Sequence, residues 1–167
     1  HDSRNVFADF QRFSDENQIK LHVALNRKHS EQIIKQLNPD LCLVVGWYWL
    51  ISKAVIESVP HGIIGIHYSL LPKFRGGSPL VWAMINNERE VGFSLFSFSA
   101  GMDDGPIWAQ DSVLVEEHDY IADILERLEK RTIAVIRDQY PKILSGKHLP
   151  TEQNHDLATY CAQRYEY

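Results

Sequence analysis

Two short apolar runs constrain the fold of this chain more than any other feature of its sequence. Residues 41–46 read LCLVVG and residues 63–67 read IIGIH. A continuous apolar run of this length is typical of a parallel strand that is buried on both faces. Such runs alternate with helical patterns over most of the chain, which favours a parallel sheet covered by helices. We therefore predict an α/β fold, doubly wound, with a mostly parallel sheet and helices on both faces.

The remaining elements follow from apolar periodicity and from helix-capping residues. Ser30 is predicted to cap one helix, and Ser78 followed by Pro79 is predicted to begin another. The last long helix should bury Ile121, Ile124, Leu125, Leu128, Ile133, Val135 and Ile136. Helices are predicted at 3–18, 30–37, 52–59, 80–87 and 119–144, and further strands at 20–25, 91–98 and 107–115.

Composition limits the class of protein. The chain has 167 residues, enough for one domain with a full core, and its 44% hydrophobic content is that of a globular protein. The net charge of −5 argues against nucleic acid as the main ligand, because phosphate binding needs a cationic surface. No apolar run approaches the length of a membrane span, and two cysteines are too few for a disulfide framework. We expect a cytoplasmic protein with no membrane partner.

Candidate chemistry follows the second apolar run. His67 ends this run and leads into a loop with Pro72 and basic residues, the position at which open α/β sheets bind ligands. Asp103 lies in the next strand–loop unit, where its carboxylate could face His67 and orient the imidazole. A buried structural histidine and a turn aspartate remain the alternatives for this pair. The other histidines lack a second polar signal nearby and are interpreted as surface or structural.

Other motifs are weaker. The aromatic residues that follow the first apolar run, at positions 47–49, could line a ligand pocket or simply pack over the sheet edge. Ser69 resembles a nucleophile only by its residue type, because no nucleophile elbow surrounds it. The sequence contains no P-loop, no dinucleotide-binding fingerprint and no spaced set of metal ligands. We therefore predict no metal site.

Three stretches carry a resemblance to a known family. The runs IHYSLLPKFRGGSPL, VGFSL and GMDDGPIWAQ resemble the core of the folate-dependent formyltransferases, over about residues 39–149. That family includes methionyl-tRNA formyltransferase, glycinamide ribonucleotide formyltransferase and the sugar-nucleotide N-formyltransferases. The resemblance implies N10-formyltetrahydrofolate as co-substrate and formyl donor, and an amine as acceptor. It also implies a further βαβ segment before His1, so that the chain is expected to be a fragment.

The resemblance assigns roles to individual positions. The catalytic histidine and aspartate of the family fall on His67 and Asp103. The folate site falls on Trp49, Leu50, Ile51, Phe98, Ser99, Ala100, Gly101 and Met102, with the first three contributing backbone groups to the pterin ring. Candidate contacts to the acceptor substrate are Ser69, Lys73 and Arg75. The alternative for the two basic residues is that their side chains are solvated at the surface.

One position departs from the family pattern. The family has an asparagine two residues before the catalytic histidine, and this chain has Gly65 there. That asparagine donates a hydrogen bond to the oxyanion, and losing one such donor typically costs about a hundred- to a thousandfold in rate. A backbone N–H or a water could substitute, another side chain could supply the donor, or the protein could be a poor or inactive enzyme.

The acceptor is predicted from weaker signals. Ala158, Thr159 and Tyr160, together with Arg164, resemble the segment that leads into the C-terminal part of the sugar-nucleotide enzymes. We therefore expect an amino-sugar nucleotide as acceptor, in cell-surface polysaccharide biosynthesis. The alternatives are a methionyl-tRNA formyltransferase and a non-catalytic folate or nucleotide-sugar binding protein. Residues 1–150 are predicted to form the catalytic domain and residues 151–167 the start of a C-terminal extension, with a homodimer left open.

Overall fold

The computed structural model describes residues 6–47 and 49–162 of the chain. The chain divides into two compact units, residues 1–37 and residues 38–167. Residues 151–162 therefore belong to the same unit as residues 38–150 of the predicted catalytic domain, and the proposed boundary at residue 150 stays a prediction. Arg164, one of the residues used to predict the acceptor, lies outside the described residues.

The first unit contains two helices, α1 (Phe7–Asn17) and α2 (Arg27–Leu37). The predicted strand at 20–25 is wrong: these residues are irregular and exposed, and they pair with no strand in the part of the chain that is described. Alternation of polar and apolar residues makes a strand only where a partner strand is available. The predicted cap of the second helix is also wrong, because Asn26 Oδ1 accepts the hydrogen bond from His29 N (2.9 Å) and Ser30 lies within the helix.

The second unit is built around a four-stranded sheet in the order β1–β2–β4–β5. A two-stranded sheet pairs β3 with β6 in parallel. The elements, in chain order, are β1 (Cys42–Val44), α3 (Lys53–Ile56), β2 (Ile63–His67), β3 (Arg75–Gly76), α4 (Pro79–Ile85), β4 (Glu90–Ser97), β5 (Ile107–Leu114), α5 (Ile121–Leu144), a 3-10 turn (His155–Leu157) and β6 (Tyr160–Cys161).

The predicted α/β class is confirmed, whereas the prediction of a mostly parallel sheet holds only in part. β1 and β2 are parallel, but β2 pairs antiparallel with β4, and β4 pairs antiparallel with β5. The loop between β4 and β5 is nine residues long, residues 98–106. Parallel neighbours need a crossover connection of a dozen residues or more, so this loop requires an antiparallel pair.

The first apolar run is less buried than predicted. Leu43 on β1 is 47% exposed, and Val45 just beyond the strand is more exposed still. β1 is an edge strand of the described sheet and pairs only with β2. An apolar run therefore predicted the strand correctly, but burial on both faces also depends on neighbouring elements that the run does not specify.

The main core lies between the sheet and helices α4 and α5. Phe93 and Val113 from the sheet pack with Leu80 of α4 and with Ile124 and Leu128 of α5. The predicted burial of Ile121 and Ile133 is wrong, because both are exposed while Ile124, Leu128 and Thr132 are buried at four-residue spacing. Ile133 lies one residue, or about 100°, around the helix from this buried row.

Two further features concern helix ends and length. Ser78 precedes α4 as predicted and Pro79 opens the helix, but Ser78 has a left-handed backbone (φ 54°) and its side chain makes no capping hydrogen bond. None of the helices within the described ranges combines the length and the apolar character needed to cross a membrane.

The packing of α5 predicts a large difference between two substitutions on the same helix. Leu128→Ala empties a fully buried site and should lower the free energy of unfolding by about 2–5 kcal/mol. Ile133→Ala, on the exposed side of the helix, should change it by no more than about 0.5 kcal/mol. Urea denaturation of both variants measures the difference, and equal losses of stability would contradict this packing.

Candidate active site

His67 is the last residue of β2 and is held in one orientation by a backbone carbonyl. Its side chain is buried, and Nε2 lies 2.8 Å from the Phe74 carbonyl oxygen. A carbonyl oxygen can only accept a hydrogen bond, so Nε2 carries a proton in this contact. Nδ1 is then the nitrogen that stays unprotonated while the imidazole is neutral.

Asp103 lies opposite that second nitrogen. Its Oδ2 is 3.7 Å from His67 Nδ1, which is ion-pair distance but longer than a hydrogen bond. The same oxygen accepts a hydrogen bond from the Gly76 amide at 2.8 Å. Asp103 has a left-handed backbone (φ 49°), whereas the neighbouring Asp104 accepts a hydrogen bond from the Ser99 hydroxyl. The structure thus brings together the two side chains predicted as a pair.

The loop after His67 is fixed to the sheet by buried polar groups. Ser94 on β4 donates from Oγ to the Ser69 carbonyl (2.7 Å) and accepts from the Leu71 amide (3.0 Å). Gln110 on β5 donates to the same hydroxyl and to the Leu71 carbonyl. The hydroxyl of Ser69 is itself buried and donates to the Lys73 carbonyl. Ser69 therefore stabilises the loop, and its predicted contact with substrate has no support in this geometry.

The two basic residues predicted for the substrate site differ sharply. Lys73 is exposed, but it does not line the cavity that contains His67 and Asp103. Arg75 is 2% exposed, and its guanidinium is hydrogen-bonded to Gln153, His155 and Tyr160. Its interpretation as a solvated surface residue is wrong, and its position does not support a role in steering the acceptor. These partners lie 78–85 residues further along the chain, so the sequence near Arg75 gave no sign of them.

A cavity of about 700 Å³ opens beside the His67–Asp103 pair. That volume is in the range of pockets for drug-sized ligands. Aromatic rings and loop backbone form its walls, which suits a flat ring with polar edges. Most of the predicted folate positions line it, namely Trp49, Leu50, Ile51, Phe98, Ser99, Gly101 and Met102, whereas Ala100 and Gly65 do not.

Gly65 is buried behind an aromatic ring. A Cβ placed on this residue would lie 2.2 Å from Phe98 Cε1 and 3.1 Å from Phe96 Cε1. The two phenyl rings are stacked, with centroids 5.3 Å apart, and both line the cavity. The Phe98 ring therefore fills the space that a longer side chain at position 65 would need.

The Gly65 N–H is engaged in a hydrogen bond of the sheet, as the register of β2 and β4 shows. Hydrogen-bonded pairs recur at every second residue of an antiparallel ladder. Phe98 N donates to Ile63 O at 2.7 Å, so Gly65 and Phe96 form the next such pair in the register of β2 and β4. The Gly65 N–H is therefore bonded within the sheet. Of the three explanations for this glycine, substitution by its own backbone N–H is removed.

Cys161 is the thiol on the cavity wall. Burial raises the pKa of this thiol, and the negative charge of Asp103 raises it further. A raised pKa keeps the sulfur protonated at neutral pH, whereas a nucleophilic cysteine needs the thiolate. Among residues 6–47 and 49–162, no group of three or more His, Cys, Asp or Glu side chains is arranged to hold a metal ion.

Sequence reasoning missed two residues next to the site. Thr159 Oγ1 accepts a hydrogen bond from Phe74 N at 2.8 Å, next to the carbonyl that holds His67. Gln153 Nε2 donates to the Asp103 carbonyl at 2.9 Å. Both lie in a polar segment without apolar periodicity. The available signal is the resemblance of residues 158–160 to the sugar-nucleotide enzymes, and it does not indicate the contact of Thr159 with Phe74.

Similarity to known proteins agrees with this arrangement. A methionyl-tRNA formyltransferase of Caldanaerobacter subterraneus subsp. tengcongensis is 32% identical over 129 residues, covering 77% of this chain and 42% of that protein. The chain thus spans less than half the length of the curated relatives it matches. The formyltransferase PseJ from Anoxybacillus kamchatkensis, solved with a formamido sugar nucleotide and tetrahydrofolate, has a similar fold (TM-score 0.66, 24% identity, 73% of this chain and 64% of that one).

A second solved structure extends over nearly the whole chain. The methionyl-tRNA formyltransferase from Clostridium thermocellum gives a TM-score of 0.69 at 23% identity, covering 95% of this chain and 68% of that one. Residues 8–139 match the family described as formyl transferase. That match covers well over half of the sequence, so the chain belongs to the formyl transferase family.

Proposed function

We propose that this protein transfers a formyl group from N10-formyltetrahydrofolate to an amine, with His67 and Asp103 as catalytic residues. The observation that carries the proposal is the 3.7 Å approach of His67 Nδ1 and Asp103 Oδ2 beside a cavity of about 700 Å³. Membership of the formyl transferase family supports it. The cavity walls formed by Trp49, Phe98 and the loop 99–102 would hold the folate.

The reaction requires one proton to move between two nitrogens. The amine forms a bond to the formyl carbon and loses a proton, while the bond from that carbon to folate N10 breaks and N10 gains a proton. Asp103 accepts the proton from the attacking amine, directly or through water. Protonated His67 donates from Nδ1 to the developing oxyanion and then supplies that proton to N10. The proton held by Asp103 then passes to His67 Nδ1, 3.7 Å away, which restores both groups. The Phe74 carbonyl keeps Nε2 occupied, so only Nδ1 is free for this role.

For the acceptor we propose an amino-sugar nucleotide. The net charge of −5 favours a small acceptor over a large polyanion such as tRNA. The alternative is methionyl-tRNA, which the 32% identical methionyl-tRNA formyltransferase favours. A cytoplasmic location, a homodimer and a role in cell-surface polysaccharide biosynthesis stay predictions.

A second candidate function is ligand binding without turnover. The observation that favours it is the Phe98 ring at 2.2 Å from a Cβ on Gly65, which excludes a side-chain donor at that position. An enzyme that lacks one oxyanion donor loses about a hundred- to a thousandfold in rate. From a typical kcat of about 10 s⁻¹, turnover would fall to about 0.01–0.1 s⁻¹. An assay must therefore resolve slow turnover before the protein is classed as inactive.

The first test is formyl transfer itself. The protein is incubated with N10-formyltetrahydrofolate and a panel of amino-sugar nucleotides or methionyl-tRNA, and tetrahydrofolate release is followed together with the formylated product. His67→Ala and Asp103→Ala should each lower kcat by about 10²–10⁴-fold, since each removes a proton-transfer group. His61→Ala changes an exposed histidine before β2 and should leave the rate unchanged.

Two outcomes would contradict the proposal. Near-normal transfer by either variant would remove that residue from catalysis. The unaltered protein could also bind both substrates without releasing any tetrahydrofolate, and that result would favour the binding function instead. Binding is followed through the fluorescence of Trp47 and Trp49 in the cavity wall.

The packing of Phe98 against Gly65 predicts how the missing donor could be restored. Gly65→Asn alone should destabilise the protein, because the new side chain meets the phenyl ring. Phe98→Ala removes the ring, and the double variant Gly65→Asn with Phe98→Ala should then turn over at least about tenfold faster than Phe98→Ala alone. Equal kcat values for these two proteins would show that position 65 does not limit the reaction.

A further inference from the structure

Arg75 is a buried cation held by neutral groups. Its guanidinium donates to Gln153 Oε1 from Nη2 (2.6 Å) and Nε (3.2 Å), to the Tyr160 hydroxyl (3.1 Å) and to His155 Nδ1 (3.0 Å). No ion pair to a carboxylate is found for Arg75 within residues 6–47 and 49–162. A buried charge is costly unless its hydrogen bonds are satisfied. All three partners come from the segment of residues 151–162, here called the C-terminal segment.

Arg75 determines which way the Gln153 amide faces. A guanidinium has only donors, so the amide oxygen of Gln153 must face Arg75. The amide nitrogen then faces the opposite way, where its two hydrogens reach the Asp103 carbonyl (2.9 Å) and the Gly105 carbonyl (2.6 Å). Gln153 is 6% exposed, and every donor and acceptor of its amide group is used.

The segment also holds the residue that orients His67. Thr159 Oγ1 accepts from Phe74 N (2.8 Å), and the Thr159 backbone bonds to Pro72 O and Arg75 N on either side. Phe74 has a left-handed backbone (φ 57°), and its carbonyl accepts from His67 Nε2. Both supports of the catalytic pair, the Phe74 carbonyl and the Asp103 loop, thus depend on one segment.

The Asp103 conformation needs such support. A left-handed backbone is unfavourable for a residue with a side chain, and it persists where the surroundings hold it. Asp103 is held by Gly76 N, which donates to its carboxylate, and by Gln153 Nε2, which donates to its carbonyl. We propose that Gln153 is a positioning residue for Asp103, and that Arg75 acts through it by fixing the orientation of its amide. This inference rests on the proposed function of Asp103.

Gln153→Glu separates the two contacts of Gln153. One carboxylate oxygen keeps both hydrogen bonds from Arg75 and strengthens them by its charge. The other oxygen replaces the amide nitrogen and can only repel the carbonyls of Asp103 and Gly105. The variant should fold while the Asp103 loop loses its support. Glu152→Gln, an exposed neighbouring change, is the control with no expected effect.

The first readout does not need enzyme activity. The Gly76 amide proton is bonded to the Asp103 carboxylate, so its hydrogen-exchange rate, measured by NMR, reports the position of that carboxylate. In Gln153→Glu it should exchange at least about tenfold faster, whereas the Phe98 amide, bonded to Ile63 in the sheet, should exchange as before. Unchanged exchange of Gly76 in the folded variant would overturn the proposal.

The second readout is the split between kcat and KM. A misplaced catalytic group can cost about a hundredfold in rate, so kcat of Gln153→Glu should fall about 10- to 100-fold. KM for the folate should stay within about twofold, since Gln153 does not line the cavity. Faster exchange with normal kcat would also overturn the positioning role. If the unaltered protein transfers no formyl group, the proposed function fails, and Gly76 exchange alone still decides whether Gln153 positions Asp103.

If Gln153→Glu does not fold, Gln153→Asn takes its place. Its amide retains the same chemistry but is one methylene shorter, so it cannot reach Arg75 and both carbonyls together. The same increase in Gly76 exchange and the same fall in kcat are expected, and wild-type values for either would contradict the proposal.

Discussion

The hydrogen bond from the Gly76 amide to the Asp103 carboxylate is the interaction on which the candidate site depends. It joins β3, which follows the loop after His67, to the loop between β4 and β5 (2.8 Å). The same carboxylate oxygen then faces His67 Nδ1, whose ring is held from the other side by Phe74. A backbone donor and a backbone acceptor thus set the geometry of both side chains, and backbone groups are not lost by substitution.

The second constraint is steric. The Phe98 ring occupies the space beside Gly65, where the family pattern has a polar side chain. The Gly65 amide is bonded within the sheet, so it offers no replacement donor. His67, when protonated, is then the donor that this account assigns to the oxyanion. With this one donor in place, we expect slow turnover rather than none.

The sequence predicted the parts of the structure that depend on local pattern. β2 ends at His67 as expected, because an apolar run that gives way to a polar loop marks the end of a strand. The edge position of β1 and the burial of Arg75 were not predicted, since both depend on elements far along the chain. Residue type alone does not separate Asp103 from Asp104; the resemblance to the family made that choice.

The tautomer of His67 is the most direct test of whether Phe74 and Asp103 fix the catalytic ring. If the Phe74 carbonyl fixes the ring, neutral His67 carries its proton on Nε2, and Nδ1 is unprotonated and faces Asp103. A proton–nitrogen correlation spectrum of the nitrogen-15-labelled protein distinguishes the two tautomers, and loss of one signal set in His67→Asn assigns the ring among the eight histidines. We expect the Nε2–H form, and a dominant Nδ1–H form would show that the Phe74 carbonyl does not fix the ring.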